Sequence, residues 1–280
     1  MCIPYIGGKY RQAKWIEEFI PNNLDTYIEV FGGAFWVHLK SSFNADRVIY
    51  NDFNKHMVNL FACIREYDTF YEYLSKDEPQ NKNKFNKYRD YILSLINNGN
   101  DFDIPNFDIA QKYAYVITQV FSGIMSEKAK MINLKGKYKS KYLTFSSKMK
   151  QPKFQKRFDM ITDTFNMSFE KIIPLVDSPT TFFYLDPPYY NTENLYAFHD
   201  FGIEQHKELM EIIKNIQGKF ILSYYEFDDL VKWFPEDQYV WKRKEYAKAS
   251  MASKGKGQTK GIEVLVMNFN PDDNIMDDVF

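Results

Sequence analysis

Apolar positions in this chain fall into short unbroken runs, each giving way to a stretch where they recur every three or four residues. "TYIEVFGGAFWVHL" holds an apolar run, a glycine pair and then apolar residues at helical spacing. In "RVIYNDFNKHMVNLFACI" a strand-like run ends in an acid, after which Met57, Leu60, Phe61 and Ile64 share one helical face. "TFFYLDPPYY" predicts a strand that stops at Pro187, because proline has no N–H to give a sheet ladder. "EQHKELMEIIKNIQGKFILSYYEF" predicts a helix, a cap at Gly218 and a further strand, and "GIEVLVMNF" a late strand. Strand and helix in alternation define an α/β fold with a mainly parallel, doubly wound sheet.

Residues 66–160 break that rhythm. "DEPQNKNKFNKYRDYILSLINNGNDFDIPNFD" is polar and rich in Asn, with one helix expected around Tyr88 to Ile96. "DIAQKYAYVITQVFSGI" has helical spacing, and "INLKGKYKSKYLTF" reads as a basic hairpin turning near Gly136. The expected organisation is a catalytic domain made of 1–65 and 161–280, interrupted by an inserted, mostly helical subdomain at 66–160. A chain of 280 residues is long enough for both.

Composition narrows the class. No apolar run approaches the roughly 18 residues of a membrane span, and "MCIPYIGGKYRQ" lacks the pattern of a secretory leader. Cys2 and Cys63 are too few for a disulfide framework, and with four His there is no metal-ligand cluster. A cytoplasmic protein with no metal and no membrane association is expected. The formal net charge of -1 conceals two basic blocks. Between Ser122 and Phe158 there are eleven Lys/Arg against one acid, and between Lys242 and Lys260 seven against one. Such blocks suit a polyanion, and the excess of Lys over Arg favours phosphate attraction over bidentate base readout.

The residues with chemical potential cluster at predicted strand ends, where open α/β sheets bind ligands. Gly32 and Gly33 follow the first strand, and Asp52 stands nineteen residues further on. That spacing suits hydrogen bonds to ribose hydroxyls, although Asp52 could instead cap the following helix. Asp186, Pro187, Pro188 and Tyr189 form a corner of distinct chemistry. Two prolines stiffen the backbone and leave carbonyls free to accept, Asp186 accepts, and Tyr189 offers a ring. Two acceptors beside a stacking ring suit a planar group carrying an exocyclic amine, as in adenine or cytosine. Holding both amine hydrogens frees the nitrogen lone pair for attack on an electrophilic methyl.

On "YIGGK", "YIEVFGGAFWVHL", "NDFN", "FFYLDPPYY", "FILSYYEF" and "IEVLVMNF", in that order, the chain resembles the Dam-like DNA adenine methyltransferases. The resemblance extends from residue 5 to about 269 and implies a Rossmann-like methyltransferase sheet with S-adenosylmethionine as cofactor. It implies that Tyr5, Gly7, Gly8 and Lys9 form an N-terminal loop that helps bind the cofactor. Glu29, Phe31, Gly32 and Gly33 match the first cofactor motif, Asp52 the ribose-binding acid, and Asp186 contacts both cofactor and target. Asp186 and the Pro187 carbonyl match the acceptors for the adenine amine, and Tyr189 the ring that stacks on the flipped base. The insertion corresponds to a target-recognition region. Lys135, Lys137, Lys139 and Lys141, with Lys254 and Lys256 in "KASMASKGKGQTK", are the candidate contacts to double-stranded DNA. A cognate restriction endonuclease is a candidate partner.

Two departures stand out. Phe35 replaces the second glycine of the usual Phe-x-Gly-x-Gly, and Tyr224-Tyr225 replace a polar pair. The sequence therefore leaves open methylation of the cytosine amine, or a non-catalytic DNA-binding protein on a methyltransferase scaffold. Thermal stabilisation by S-adenosylmethionine separates the scaffold from the enzymes.

Overall fold

The computed structural model describes residues 3, 5, 7–77, 80–99, 101–120, 123, 125–132, 140–189, 201–247 and 260–275. Among these, seven strands form one sheet: β1 (Asn23–Glu29), β2 (Asn44–Asn51), β3 (Ile161–Phe165), β4 (Thr181–Leu185), β5 (Lys219–Tyr225), β6 (Val240–Ala247) and β7 (Lys260–Met267). Their spatial order is β3-β2-β1-β4-β5-β7-β6. The first five are parallel to one another, and β7 runs antiparallel between β5 and β6. The chain steps outward from β1 to β2 and returns to place β4 on the other side of β1. The β1/β4 junction is therefore the topological switch point, the usual place for a ligand.

Both faces of the sheet are covered, which explains the unbroken apolar runs. Along β4, Phe182 and Tyr184 join one buried cluster while Phe183 and Leu185 join the other. The same alternation runs through β1, where Tyr27 faces the first cluster and Ile28 the second. Burial in β1 and β2 is confined to their carboxyl halves, so the best-packed part of the sheet is the part beneath the candidate site.

Helices α1 (Ala13–Glu17), α2 (Trp36–Lys40) and α3 (Lys55–Arg65) accompany the first strands. Between β2 and β3 lie α4 (Tyr67–Ser75), α5 (Lys82–Asn97), α6 (Phe107–Gln119), α7 (Lys141–Met149) and α8 (Pro152–Asp159). Then come α9 (Phe169–Val176), α10 (Ile203–Lys214) and α11 (Asp228–Trp233). Two asparagines of the Asn-rich stretch start helices, while others lie within α5 or at its end. The Asn81 side chain accepts from the Lys84 N–H and the Asn106 side chain from the Ile109 N–H, as the Asn54 side chain does for α3. Ser140 caps α7, and Pro152 opens α8 where its missing N–H costs nothing. Buried α6 joins the insertion to α3, and a single apolar cluster continues from the sheet into these helices.

Three local expectations change. The helix expected from Tyr88 begins at Lys82, started by the Asn81 cap. Of the basic hairpin, residues 133–139 lie outside the described residues, and its second half is helix α7 rather than strand. Gly218 is not a helix cap: α10 ends at Lys214 with Asn215 as its cap, and a Cβ on Gly218 would lie 2.2 Å from the Thr181 carbonyl oxygen. Its role is to let the start of β5 pass close to β4.

Candidate active site

The first half of the site is assembled from backbone. Beyond β1 the chain turns through Gly32, whose N–H donates to the Asn51 carbonyl at the end of β2 (2.8 Å). A Cβ there would meet the Tyr50 ring at 2.4 Å, so only glycine lets the two strand ends approach so closely. Gly33 has φ +47°, with the Tyr5 ring packed where a side chain would project. Its N–H donates to one oxygen of Asp52, and the Asn54 N–H donates to the other, both at 2.7 Å. Asn54, not Asp52, is the cap of α3. Burial pushes the Asp52 carboxyl up to about 6 against these two donors.

Glu29, at the end of β1, accepts from the His38 N–H (2.8 Å) and the Tyr27 hydroxyl (3.0 Å). Burial raises it to about 8, so it is largely protonated at neutral pH. His38 is held neutral by burial and by Arg157, whose guanidinium donates to its Nδ1 while Nε2–H donates to the Arg157 carbonyl. Arg157 therefore belongs to the core and not to a phosphate-facing surface. Phe35 keeps the left-handed backbone that a glycine would favour at this position, with φ 55° and ψ 34°. Its fully buried ring packs on His38, Tyr50 and Phe61. A left-handed backbone is thus held here without a glycine, with the ring packed in the core.

The second half is assembled from side chains. Asp186 sits just past β4, where Pro187 ends the ladder. Its Oδ1 is 2.6 Å from Lys9 Nζ, bringing the N-terminal loop against the acid-Pro-Pro-Tyr corner. Burial raises the Asp186 carboxyl to about 6, with Lys9 pulling it down and Glu263 pushing it up. The Tyr189 hydroxyl donates to Glu263 Oε1 (2.5 Å), and the Ser223 hydroxyl donates to the same oxygen (2.8 Å). Tyr224 stacks on Tyr189 with centroids 5.0 Å apart and bonds His206 Nδ1 through its hydroxyl (2.8 Å). Tyr225 meets Tyr189 edge-on at 4.1 Å. The unexpected tyrosine pair is thus the packing that holds Tyr189.

A cleft joins the two halves. Tyr5, Gly7, Gly8, Lys9, Glu29, Phe31, Gly32, Gly33, Asp52, Asp186 and Pro188 all line it. Tyr189 does not: it is 6% exposed, with Lys9 Nζ 4.7 Å from its ring centroid. Of the DNA-contact candidates, Lys141 is exposed at the start of α7, while Lys135, Lys137, Lys139, Lys254 and Lys256 lie outside the described residues. In the second basic block Arg243 is paired with Glu226 and Glu236.

Sequence reasoning missed three cleft or network residues. Trp36 lines the cleft with a buried Nε1–H that has no hydrogen-bond partner among the described residues. Phe53, between Asp52 and Asn54, lines it while 52% exposed. Glu263 is 2% exposed on β7 and was visible only as an acid inside an apolar run.

A doubly wound sheet with an acid at the end of β2 and an acceptor-rich corner beyond β4 places the cleft where open α/β sheets bind their ligands. The chain matches the D12 class N6 adenine-specific DNA methyltransferase family over residues 5–249 and belongs to it. It acts on DNA and requires a methyl donor. It is 24% identical over 232 residues to the Type II methyltransferase M.CviBI of Paramecium bursaria Chlorella virus NC1A, covering 79% of this chain and 80% of that one. It is 26% identical over 229 residues to the DNA adenine methylase of Haemophilus influenzae, covering 79% and 76%. Among solved structures, a precorrin 8w decarboxylase from Methanobacterium thermoautotrophicum aligns over 93% of this chain and 90% of its own at 11% identity, with a TM-score of 0.38. Among the described residues no helix is long and apolar enough to cross a membrane, and no cluster of His, Cys, Asp and Glu could hold a metal ion.

Proposed function

We propose that the cleft binds S-adenosylmethionine and transfers its methyl group to the N6 amine of an adenine flipped out of duplex DNA. The observation that carries this reading is the meeting of Asp52 and Asp186 in one cleft at the β1/β4 switch point. The residues fit the cofactor. Both Asp52 oxygens keep a lone pair for ribose hydroxyls after their backbone bonds. The exposed Phe53 ring offers a flat face for the cofactor's adenine, and the orphaned Trp36 Nε1–H needs an acceptor. Crowded Gly32 and left-handed Gly33 let the backbone run close to the ligand.

When bound, the cofactor supplies a methyl group on a positively charged sulfur, which leaves as a neutral thioether. Asp186 and the Pro187 carbonyl hold the two amine hydrogens and aim the nitrogen lone pair along the line of attack. With the cofactor bound, the amine nitrogen would take up its methyl group and the surplus amine proton would pass to Asp186 or to water. Asp186, at about 6, is a better proton acceptor than an ordinary carboxylate and is still ionised at neutral pH. Flipping is required because the amine cannot be reached within a paired duplex. Residues 66–160 serve as the target-recognition region, with exposed Lys141, Lys150, Lys153 and Lys156 available to phosphates. A cognate restriction endonuclease fits an enzyme of this kind, and the cytoplasm is the expected compartment.

The test uses unmethylated duplex DNA, purified protein and S-adenosylmethionine, followed by nucleoside mass spectrometry. N6-methyladenine with an acid limb near pH 6 is the expected result. Methylated cytosine, or no methylated base, would overturn it.

A further inference from the structure

The Lys9 ammonium occupies the position that the adenine amine needs. It donates to Asp186 at 2.6 Å and stands 4.7 Å over the Tyr189 ring, filling both the acceptor and the stacking surface. A second anion waits beside it: Glu263 Oε1 is 3.4 Å from the same nitrogen. Glu263 comes from β7, beyond the 5–249 stretch shared with the family, and is anchored by the Tyr189 and Ser223 hydroxyls. Its backbone is fixed by pairing with Tyr225 on β5 and Lys244 on β6.

We propose that Lys9 is a place-holder for the target amine and that Glu263 is the positioning residue that receives it, releasing Asp186 and the Tyr189 ring to the incoming adenine. This rests on the adenine-methylation reading above. One cation shared by two buried carboxylates makes the exchange feasible. Lys9 moves from one anion to the other without entering water, so the desolvation cost of a buried ammonium is not paid again during turnover. While Lys9 sits on Asp186, the buried acid is never left unpaired. Once Lys9 turns to Glu263, the adenine amine supplies the replacement donor.

Asp186 faces Lys9 from the N-terminal loop, Glu263 from β7, Glu29 from β1, and Tyr184 and Tyr189 from its own segment. Replacing Glu263 by a neutral isostere removes a nearby negative charge and leaves Asp186 as the carboxylate paired with Lys9. Both changes favour the ionised aspartate, so the acid limb of activity moves to lower pH. The substrate amine must then displace a lysine that has lost its second carboxylate, and KM for DNA rises.

The experiment measures the pH dependence of single-turnover transfer, and KM for duplex DNA, in wild type, Glu263→Gln and Glu263→Asp. Melting curves with S-adenosylhomocysteine check that each variant is folded. For Glu263→Gln we expect an acid limb lowered by about half a unit or more and KM for DNA raised about tenfold. Glu263→Asp keeps the charge but retracts it from Lys9, so its limb stays in place while KM rises. Should Glu263→Gln not fold, a wild-type KM in Glu263→Asp overturns the proposal. If wild type methylates adenine but Glu263→Gln matches it in both limb and KM, the exchange is wrong and the adenine reading stands. If wild type methylates no adenine, the function itself is wrong and the exchange falls with it.

Discussion

The two halves of the cleft solve the same problem, holding a buried acid in a fixed place, by opposite means. At the ends of β1 and β2, Asp52 and Glu29 are held by backbone N–H groups of Gly33, Asn54 and His38, all within twenty residues of their acids. At the ends of β4, β5 and β7, Asp186 and Glu263 are held by the side chains of Lys9, Tyr189 and Ser223, and Lys9 is 177 residues from Asp186. Backbone donors cannot leave, so the first half is a rigid cradle suited to a ligand bound the same way each time. Side-chain donors can rotate, so the second half can exchange partners when a substrate arrives.

Asp186→Asn tests this contrast most severely. The amide keeps the shape but offers a weaker acceptor and no base, so transfer should fall about a thousandfold in the nucleoside assay. Stability should move the other way. The folded pKa lies above the ordinary 3.8, at about 6, so across that window the folded chain holds a proton that the unfolded chain has released. Stability from this group is therefore full below the window and lost as pH rises through it, leaving a strained carboxylate at neutral pH. Removing it should stabilise the protein by about 2 kcal/mol at pH 7.5 in denaturant melts. A loss of stability would show that the Lys9 pair outweighs the burial.

Asp52→Ala probes the cradle. Two backbone N–H groups lose their acceptor, which costs about 2 kcal/mol of stability. Affinity for S-adenosylhomocysteine should fall about a hundredfold by calorimetry, because the ribose acceptors go with it. Gly32→Ala should destabilise by about 2–3 kcal/mol, since the Tyr50 ring and the Asn51 carbonyl both lie under 3.0 Å from the added methyl. Cooperative unfolding at an unchanged midpoint would refute the close approach of the two strand ends.

That contrast also decides what the sequence could reveal. The glycine pair and Asp52 stood out because they lie close along the chain, while the cap of α3 is Asn54 and not the Asp52 that the sequence offered. The alternating strands and helices follow local periodicity, so the doubly wound sheet could be anticipated, whereas the strand order that sets the switch point could not. The network around Asp186 was half legible. Aspartate, prolines and tyrosine announce acceptors, but nothing local says that Lys9 arrives from the N-terminus or that Glu263 arrives on β7. An acid inside "GIEVLVMNF" looks like a solvent-facing strand position until β5 and β6 enclose it. Arg157 misled in the same way: it is counted in a basic block yet is buried on His38 and the Phe43 carbonyl. Charge along the chain does not tell which side of a helix meets the core.

The gentlest test separates support from chemistry within the side-chain half. The Tyr224 ring stacks on Tyr189 and its hydroxyl bonds His206 Nδ1. Tyr224→Phe keeps the stack and removes only the hydroxyl. The buried His206 then loses one partner, a change of about 1 kcal/mol in stability. Transfer should change less than threefold, because the plane of the Tyr189 ring is set by the stack and by the Glu263 bond, both retained. Tyr224→Ala removes the stack as well and lets the Tyr189 ring tilt, so its transfer rate should fall about tenfold further. Equal rates in the two variants would mean that Tyr189 is held by its hydroxyl alone, and that the tyrosine pair serves the core and not the site.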